Sequence, residues 1–136
     1  MTNLEKSYML ELNTRLDEAL LNEIYFHGFS RIPIYKDNKQ NVIGLLMAKD
    51  LLLLNPKDKI LSIKQLSDIF LRDVVAIDAD STLEETMREF KKSKTHLGVV
   101  TRVMKEDDKD PYIEIVGIVT FEDLIEEILQ EEIEDE

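Results

Sequence analysis

Cysteine is absent from the 136-residue chain, which removes a disulfide framework, a thiol nucleophile and a zinc–thiolate site together. Tryptophan is absent as well, and with three prolines, four glycines and two histidines each such residue marks a constrained place in the backbone or the chemistry. No run of eighteen apolar residues occurs, and residues 1–6 carry no basic segment leading into an apolar one. The chain is therefore expected neither to span a membrane nor to bear its own export signal. Positive charge is scarce: 17 Lys and Arg face 29 Asp and Glu, a formal charge of -12, and a chain without a basic stripe fits a nucleic-acid backbone poorly. A Gly-x-Ser-x-Gly elbow and a P-loop lysine are missing, and His27 and His96 lack any base-and-orienter arrangement, so no enzyme activity is expected. What is present suffices for folding, since 43% hydrophobic residues support a core for one compact domain or two packed halves.

In chain order, residues 7–12 (Tyr8, Met9, Leu10, Leu12) read as a short strand feeding a helix that starts at Asn13 and Thr14, shows Leu16, Leu20, Leu21 and Ile24 at helical spacing, and stops at Gly28. Residues 31–35, Arg-Ile-Pro-Ile-Tyr, are strand-like, and Pro33 places this strand at an edge or faces an unpaired side. A polar turn over 36–40 leads to a partner strand over 41–47 and a leucine-rich helix over 50–54 that Pro56 ends. Residues 55–72 read as a linker pinned by Leu66, Ile69 and Phe70. The pattern then begins again: a strand over 74–77, a cap-rich segment over 78–82, a helix marked by Leu83, Met87 and Phe90, a strand over 96–101, an acidic loop over 105–110, and a strand over 112–119.

The two halves superimpose as sequence. Leu10 falls on Ile77, Leu16 on Leu83, Arg31 on His96, Gly44 on Gly117 and Asp50 on Asp123. A β-α-β-β-α unit that cannot close its own core implies two copies packed by their sheets, an α/β (α+β) fold with repeats at 1–54 and 73–130 and an acidic tail at 131–136. At the end of the second copy Thr120 and Asp123 stand three residues apart at a strand-to-helix junction, and two readings are open: a plain helix cap, or a hydroxyl and carboxylate offered to a ribose or phosphate. The first copy keeps the glycine and the aspartate but carries Met47 in place of the hydroxyl. Methionine neither caps a helix nor bonds a ribose, so the pair reads as one competent and one degenerate site.

The double pattern Gly-x-x-(Thr or Met)-x-x-Asp, each preceded by a strand of the type Ser-Arg-Ile-Pro-Ile-Tyr (30–35) or Thr-His-Leu-Gly-Val-Val (95–100), resembles the tandem CBS domain, or Bateman module. Lys49-Asp50-Leu51, Asp110-Pro111-Tyr112 and the run over 117–128 are similar to the CBS pair of the CNNM family of magnesium-transport mediators, relatives of bacterial CorC proteins. The resemblance implies a regulatory module on the cytosolic side of a membrane protein, with its membrane-spanning part outside this sequence, binding adenine nucleotide as ATP with Mg2+ in the cleft between repeats. It gives Asp123 the ribose hydroxyls, Thr120 ribose or phosphate, and Arg31 the phosphates, with Phe29, Ser30 and Pro33 shaping the pocket and Thr2 and Met9 near the adenine. Magnesium would be held through the ATP phosphates. It also implies a homodimer through the helices, to which Leu124, Ile125, Ile128 and Leu129, with Leu16, Leu20 and Ile24, would lend apolar faces.

The loop over 105–111 is simply read as a solvated hairpin loop; the resemblance adds that its aspartate, Asp110, docks a PRL-type phosphatase. An interaction domain of that kind, with a vestigial nucleotide site, is the alternative function. His96, aligned with Arg31, is either a strand histidine or a phosphate contact.

Overall fold

A computed structural model describes residues 1–54 and 61–135. The chain begins with β1 (Thr2–Asn3) and a 3-10 turn over Leu4–Lys6. Then come β2 (Leu10–Glu11), α1 (Glu18–His27), β3 (Arg31–Lys36), β4 (Asn38–Met47), a 3-10 segment over Ala48–Leu53, and α2 (Ile63–Phe70). The second pass runs β5 (Val75–Asp78), α3 (Leu83–Ser93), β6 (Leu97–Met104), β7 (Tyr112–Thr120) and α4 (Phe121–Asp135). Two compact units result, Tyr8–Asp73 and Met1–Ser7 with Val74–Glu136. Residues 1–7 thus pack with the second repeat, whereas the sequence reading gives them to the first.

The α+β repeat holds rung by rung. In the Tyr8–Asp73 unit the sheet order is β2-β3-β4, with β2 parallel and β4 antiparallel to β3, and Leu10, Ile34 and Gly44 share a rung. In the other unit the order is β1-β7-β6-β5, and Ile77, Val100 and Gly117 share the corresponding rung. The glycines and their rung partners aligned from sequence therefore occupy equivalent sheet positions, whereas Arg31, opposite Met47, matches Leu97, opposite Thr120, so its alignment with His96 is one residue out.

Both glycines have a steric reason. A Cβ on Gly117 would lie 2.8 Å from the Thr2 carbonyl oxygen, and one on Gly44 would lie 3.0 Å from the Arg72 carbonyl oxygen and 2.5 Å from Leu71 Cγ. Each glycine lets a chain segment lie on the last strand of its hairpin. Thr2 stands opposite Ile118, and Arg72 forms an isolated bridge with Leu45, their N–H and C=O groups exchanging two 2.8 Å bonds.

Several local expectations are corrected. α1 starts at Glu18, not at Asn13 and Thr14: Asp17 caps it by accepting the Leu20 N–H at 2.8 Å. The reason lies far along the chain. The carbonyls of Leu12 and Thr14 accept the N–H groups of Lys64 and Ile63, and the Leu16 N–H reaches the Leu61 carbonyl, so residues 12–16 serve the unpaired first turn of α2 and cannot wind into a helix. Leu16, 2% exposed, sits in the core just before the cap, the place of a hydrophobic staple toward Leu21.

The segment read as a linker is accordingly built into the unit. α2 opens with a Ser62–Gln65 capping box and buries Ile63 and Leu66, while Ile69, expected to pin it, is 78% exposed. The leucine-rich helix winds only as 3-10, with no side-chain cap from Met47; Pro56 lies outside the described residues. Of the two readings of Pro33 the edge does not hold, since β3 is the central strand of its sheet, and the unpaired side does. Leu45 spends both backbone groups on Arg72, so the missing Pro33 donor faces the opposite flank, where β2 pairs only from Ile34 onward. Gly28 ends α1 with φ 71°, as its position predicts. The second repeat ends α3 with Lys94 in the same left-handed region, and its core gathers Ile77, Phe90, Val100, Val119 and Leu124.

Glu11 fastens the β3–β4 turn. Its carboxylate accepts the N–H of Asp37, which is itself left-handed at φ 66°, at 3.0 Å and that of Asn13 at 2.6 Å. These bonds, Asp37 first, hold its pKa below the ordinary carboxylate value. A depressed folded pKa gives stability that is present above the unfolded value, about 4.3, and lost as pH falls through the lowered folded one. Glu11→Gln is expected to flatten that part of the acid limb in urea-denaturation midpoints measured between about pH 6 and pH 2, whereas an unchanged limb would show that these bonds do not titrate with folding.

Candidate nucleotide site

The strand-to-helix junction of the second repeat is an intact capping box. Thr120 Oγ1 accepts the Asp123 N–H at 3.2 Å, and Asp123 Oδ2 accepts the Thr120 N–H at 3.4 Å. The junction is held from below by Leu124, 5% exposed, and by Phe121, whose ring lies 6.0 Å from that of Phe90 and whose N–H donates to the His96 carbonyl at 2.9 Å. The cap reading is thus present in the structure, and it leaves chemistry over. The Thr120 hydroxyl still has its own proton to donate and Asp123, exposed, keeps Oδ1 as an acceptor. An acceptor carboxylate beside a hydroxyl suits a sugar diol. Thr2, exposed, stands opposite Ile118, two residues before Thr120 on the same strand.

In the Tyr8–Asp73 unit, Phe29, Ser30 and Arg31 lead out of Gly28 into β3 and line one depression of about 450 Å³ together with Met47, Ala48 and Lys49. Phe29 is fixed by stacking on Tyr8, with centroids 3.9 Å apart and planes 8° from parallel. Tyr8 in turn donates its hydroxyl to Glu23 at 3.1 Å, and desolvation, then that bond, pushes its pKa up to about 12. The Ser30 carbonyl accepts the Ala48 N–H at 2.9 Å, and Arg31 stands opposite Met47. Pro33 and Met9 are buried. The structure thus groups Thr2, Thr120 and Asp123 in one unit, and Phe29, Ser30 and Arg31 in the other.

His96 is engaged by Glu122, Nδ1 to Oε1 at 3.3 Å, and meets Phe121 edge-on. A groove of about 1180 Å³ lies elsewhere, between α3 and α4, with Met87, Phe90, Phe121 and Ile128 among its apolar lining. Its polar residues include no capping pair, so the donor and acceptor chemistry at Thr120 and Asp123 is the better guide to a nucleotide.

Sequence reasoning missed Arg72, which lies 3.2 Å through Nη2 from Asp50 Oδ2, the first-repeat counterpart of Asp123. No motif points to it, since backbone pairing alone brings Arg72 to the rung equivalent to that of Thr2. Asp110 lies exposed at the tip of the β6–β7 hairpin. Below it, Glu106 gathers the Lys109 ammonium at 3.4 Å and the Tyr112 hydroxyl at 3.1 Å.

Comparison with known proteins follows the same lines. The family model described as "CBS domain" matches residues 5–56 and 66–130. Over an alignment of 138 positions that covers all of this chain, it is 41% identical to the "Metal transporter cnnm-1" of Caenorhabditis elegans, of which it spans 17%. Among solved structures it is similar to the CBS domain of a bacterial CNNM/CorC family Mg2+ transporter in complex with ATP, at 24% identity and TM-score 0.74, covering 95% of this chain and 83% of that one. It is also similar to a CBS-domain pair with bound AMP from Klebsiella pneumoniae, at 20% identity and TM-score 0.68, covering 95% of this chain and 94% of the other.

Proposed function

Since the chain belongs to the CBS domain family, as a pair similar to those of CNNM and CorC proteins, we propose that it is a regulatory module that binds adenine nucleotide, as ATP with Mg2+, on the cytosolic face of a membrane protein linked to magnesium transport. The observation that carries this reading is the Thr120–Asp123 box, which keeps one hydroxyl proton and one carboxylate oxygen after the helix is capped. Asp123 takes the ribose hydroxyls, Thr120 ribose or phosphate, and Arg31 the phosphates. Phe29, Ser30 and Pro33 shape the pocket, and Thr2 and Met9 lie toward the adenine. Magnesium enters on the phosphates, which also offsets the repulsion between the nucleotide and a chain of charge -12.

A second reading is favoured by the β6–β7 hairpin. Val103 and Ile113 face each other across the stem, 56% and 70% exposed, directly below the loop that presents Asp110. An exposed apolar rung under an acidic tip suits a protein partner with a cationic cavity, in this reading a PRL-type phosphatase. Homodimerisation is part of the same proposal: Leu16, Ile24 and Leu124 are buried in the cores and lend no face, whereas Ile125, Leu129 and Ile133 recur every fourth residue along α4, each exposed.

Calorimetric titration is expected to show Mg-ATP binding that Asp123→Ala, Arg31→Ala and Thr120→Ile each abolish or weaken at least tenfold. ATP at a hundred times its Kd should stabilise the chain by roughly 2.7 kcal/mol in thermal melts. Equal binding by all four proteins removes the nucleotide reading. A PRL-type phosphatase is expected to be captured by the chain and lost with Asp110→Ala; retention by that variant removes the loop from the interface. Sedimentation equilibrium is expected to give twice the monomer mass and to return the monomer with Leu129→Glu, whereas a monomeric unmutated chain rules out the dimer.

A further inference from the structure

The first repeat keeps Asp50 where the second has Asp123, and its own unit supplies that carboxylate with a partner. The Asp50 side chain is 19% exposed and receives the Arg72 guanidinium at 3.2 Å. The backbone brings it there: Arg72 is bonded through both N–H and C=O to Leu45, against the bare Cα of Gly44. The equivalent rung of the second repeat is Ile118 opposite Thr2. At matching positions one repeat therefore has a threonine, whose short side chain carries no charge, and the other a long cation that reaches the aspartate.

We propose that Arg72 is a built-in plug, whose guanidinium holds Asp50 in place of a ribose diol, so that the chain carries one nucleotide-competent aspartate instead of two. The proposal rests on the reading of Asp123 as the ribose ligand. A guanidinium offers a carboxylate donors in a fixed fork, as a cis-diol does, and adds a positive charge. It is also tethered, so its pairing bears none of the translational and rotational cost that a ligand arriving from solution must meet. The block is double, because Met47 also withholds the hydroxyl that Thr120 provides at the corresponding cap. Unblocking the first repeat therefore needs both changes, Arg72→Thr, which installs the residue the second repeat uses, and Met47→Thr. The two backbone bonds of Arg72 to Leu45 are available to any residue other than proline, so the bridge survives the substitution.

Mg-ATP stoichiometry from equilibrium dialysis tests the plug, with thermal melts confirming that each protein is folded. One equivalent is expected for the unmutated chain and for Arg72→Thr alone, since Met47 there still withholds the hydroxyl. Two equivalents are expected for the double variant, the second weaker than the first. Asp123→Ala alone is expected to bind none, and Asp123→Ala added to the double variant to bind one. A double variant that still binds a single equivalent, lost on adding Asp123→Ala, overturns the plug and leaves the reading of Asp123 standing. Loss of the native equivalent on Arg72→Thr alone makes Arg72 a ligand and overturns the plug as well. Absence of binding by every protein, the unmutated chain included, removes the reading of Asp123 and the plug with it. Met47→Ser with Arg72→Ala, an independent pair of smaller side chains, gives the same readout should the threonine pair fail to fold.

Discussion

The contact on which both units depend is the close approach of backbone to backbone at Gly44 and Gly117. A β-carbon at either position would meet a carbonyl oxygen at 3.0 Å or less, nearer than ordinary van der Waals contact. With hydrogen there instead, Arg72 reaches Leu45 and Thr2 reaches Ile118, and each hairpin gains a strand segment on its otherwise open side. The two aspartates are placed from these rungs: the last strand of each hairpin continues within a few residues into the turn that carries Asp50 or Asp123, and the added segment brings Arg72 or Thr2 to that strand.

In the proposed reading, helix capping and ligand recognition share the Thr120 and Asp123 side chains without excluding each other, because they draw on different atoms. A threonine cap contributes about 1 kcal/mol to a helix through one acceptor lone pair, leaving the hydroxyl proton and the second carboxylate oxygen for other work. The Arg72–Asp50 pair is of a different kind. Half-exposed ion pairs contribute about 0–1 kcal/mol, so its significance lies in what it occupies and not in what it stabilises.

The repeat is legible in sequence because its sparse residues recur: glycines at 44 and 117, aspartates at 50 and 123, and apolar partners whose rungs match. The Gly28 terminus is legible for the same reason, since a left-handed position favours a residue without a Cβ. The start of α1 is not legible. Asn13 and Thr14 have the chemistry of a cap, and only the remote N–H groups of Ile63 and Lys64, drawing on the carbonyls of residues 12 and 14, decide against them. Pro33 is half legible: it predicts an edge strand or an unpaired side, and only the remote Leu45–Arg72 bonds decide for the unpaired flank of a central strand. At the candidate site, Thr120 and Asp123 are readable as a motif. The contrast between Thr2 and Arg72 is not, since neither residue belongs to the motif and each is brought to its rung by backbone pairing alone.

The pairing of Thr2 with Ile118 joins residues nearly the whole chain length apart, while the Tyr8–Asp73 unit is continuous in sequence. Synthesis from the N-terminus therefore releases the two units unequally. The inner unit is complete once Asp73 has left the ribosome and can fold as a whole, its contacts spanning short loops. Residues 1–7 are made before the inner unit and find their place only when β7 has been made, so β1 must remain solvated and uncommitted while the residues between are synthesised. Two short polar-flanked residues suit that delay, because a longer apolar strand left waiting would be an exposed edge in search of any partner.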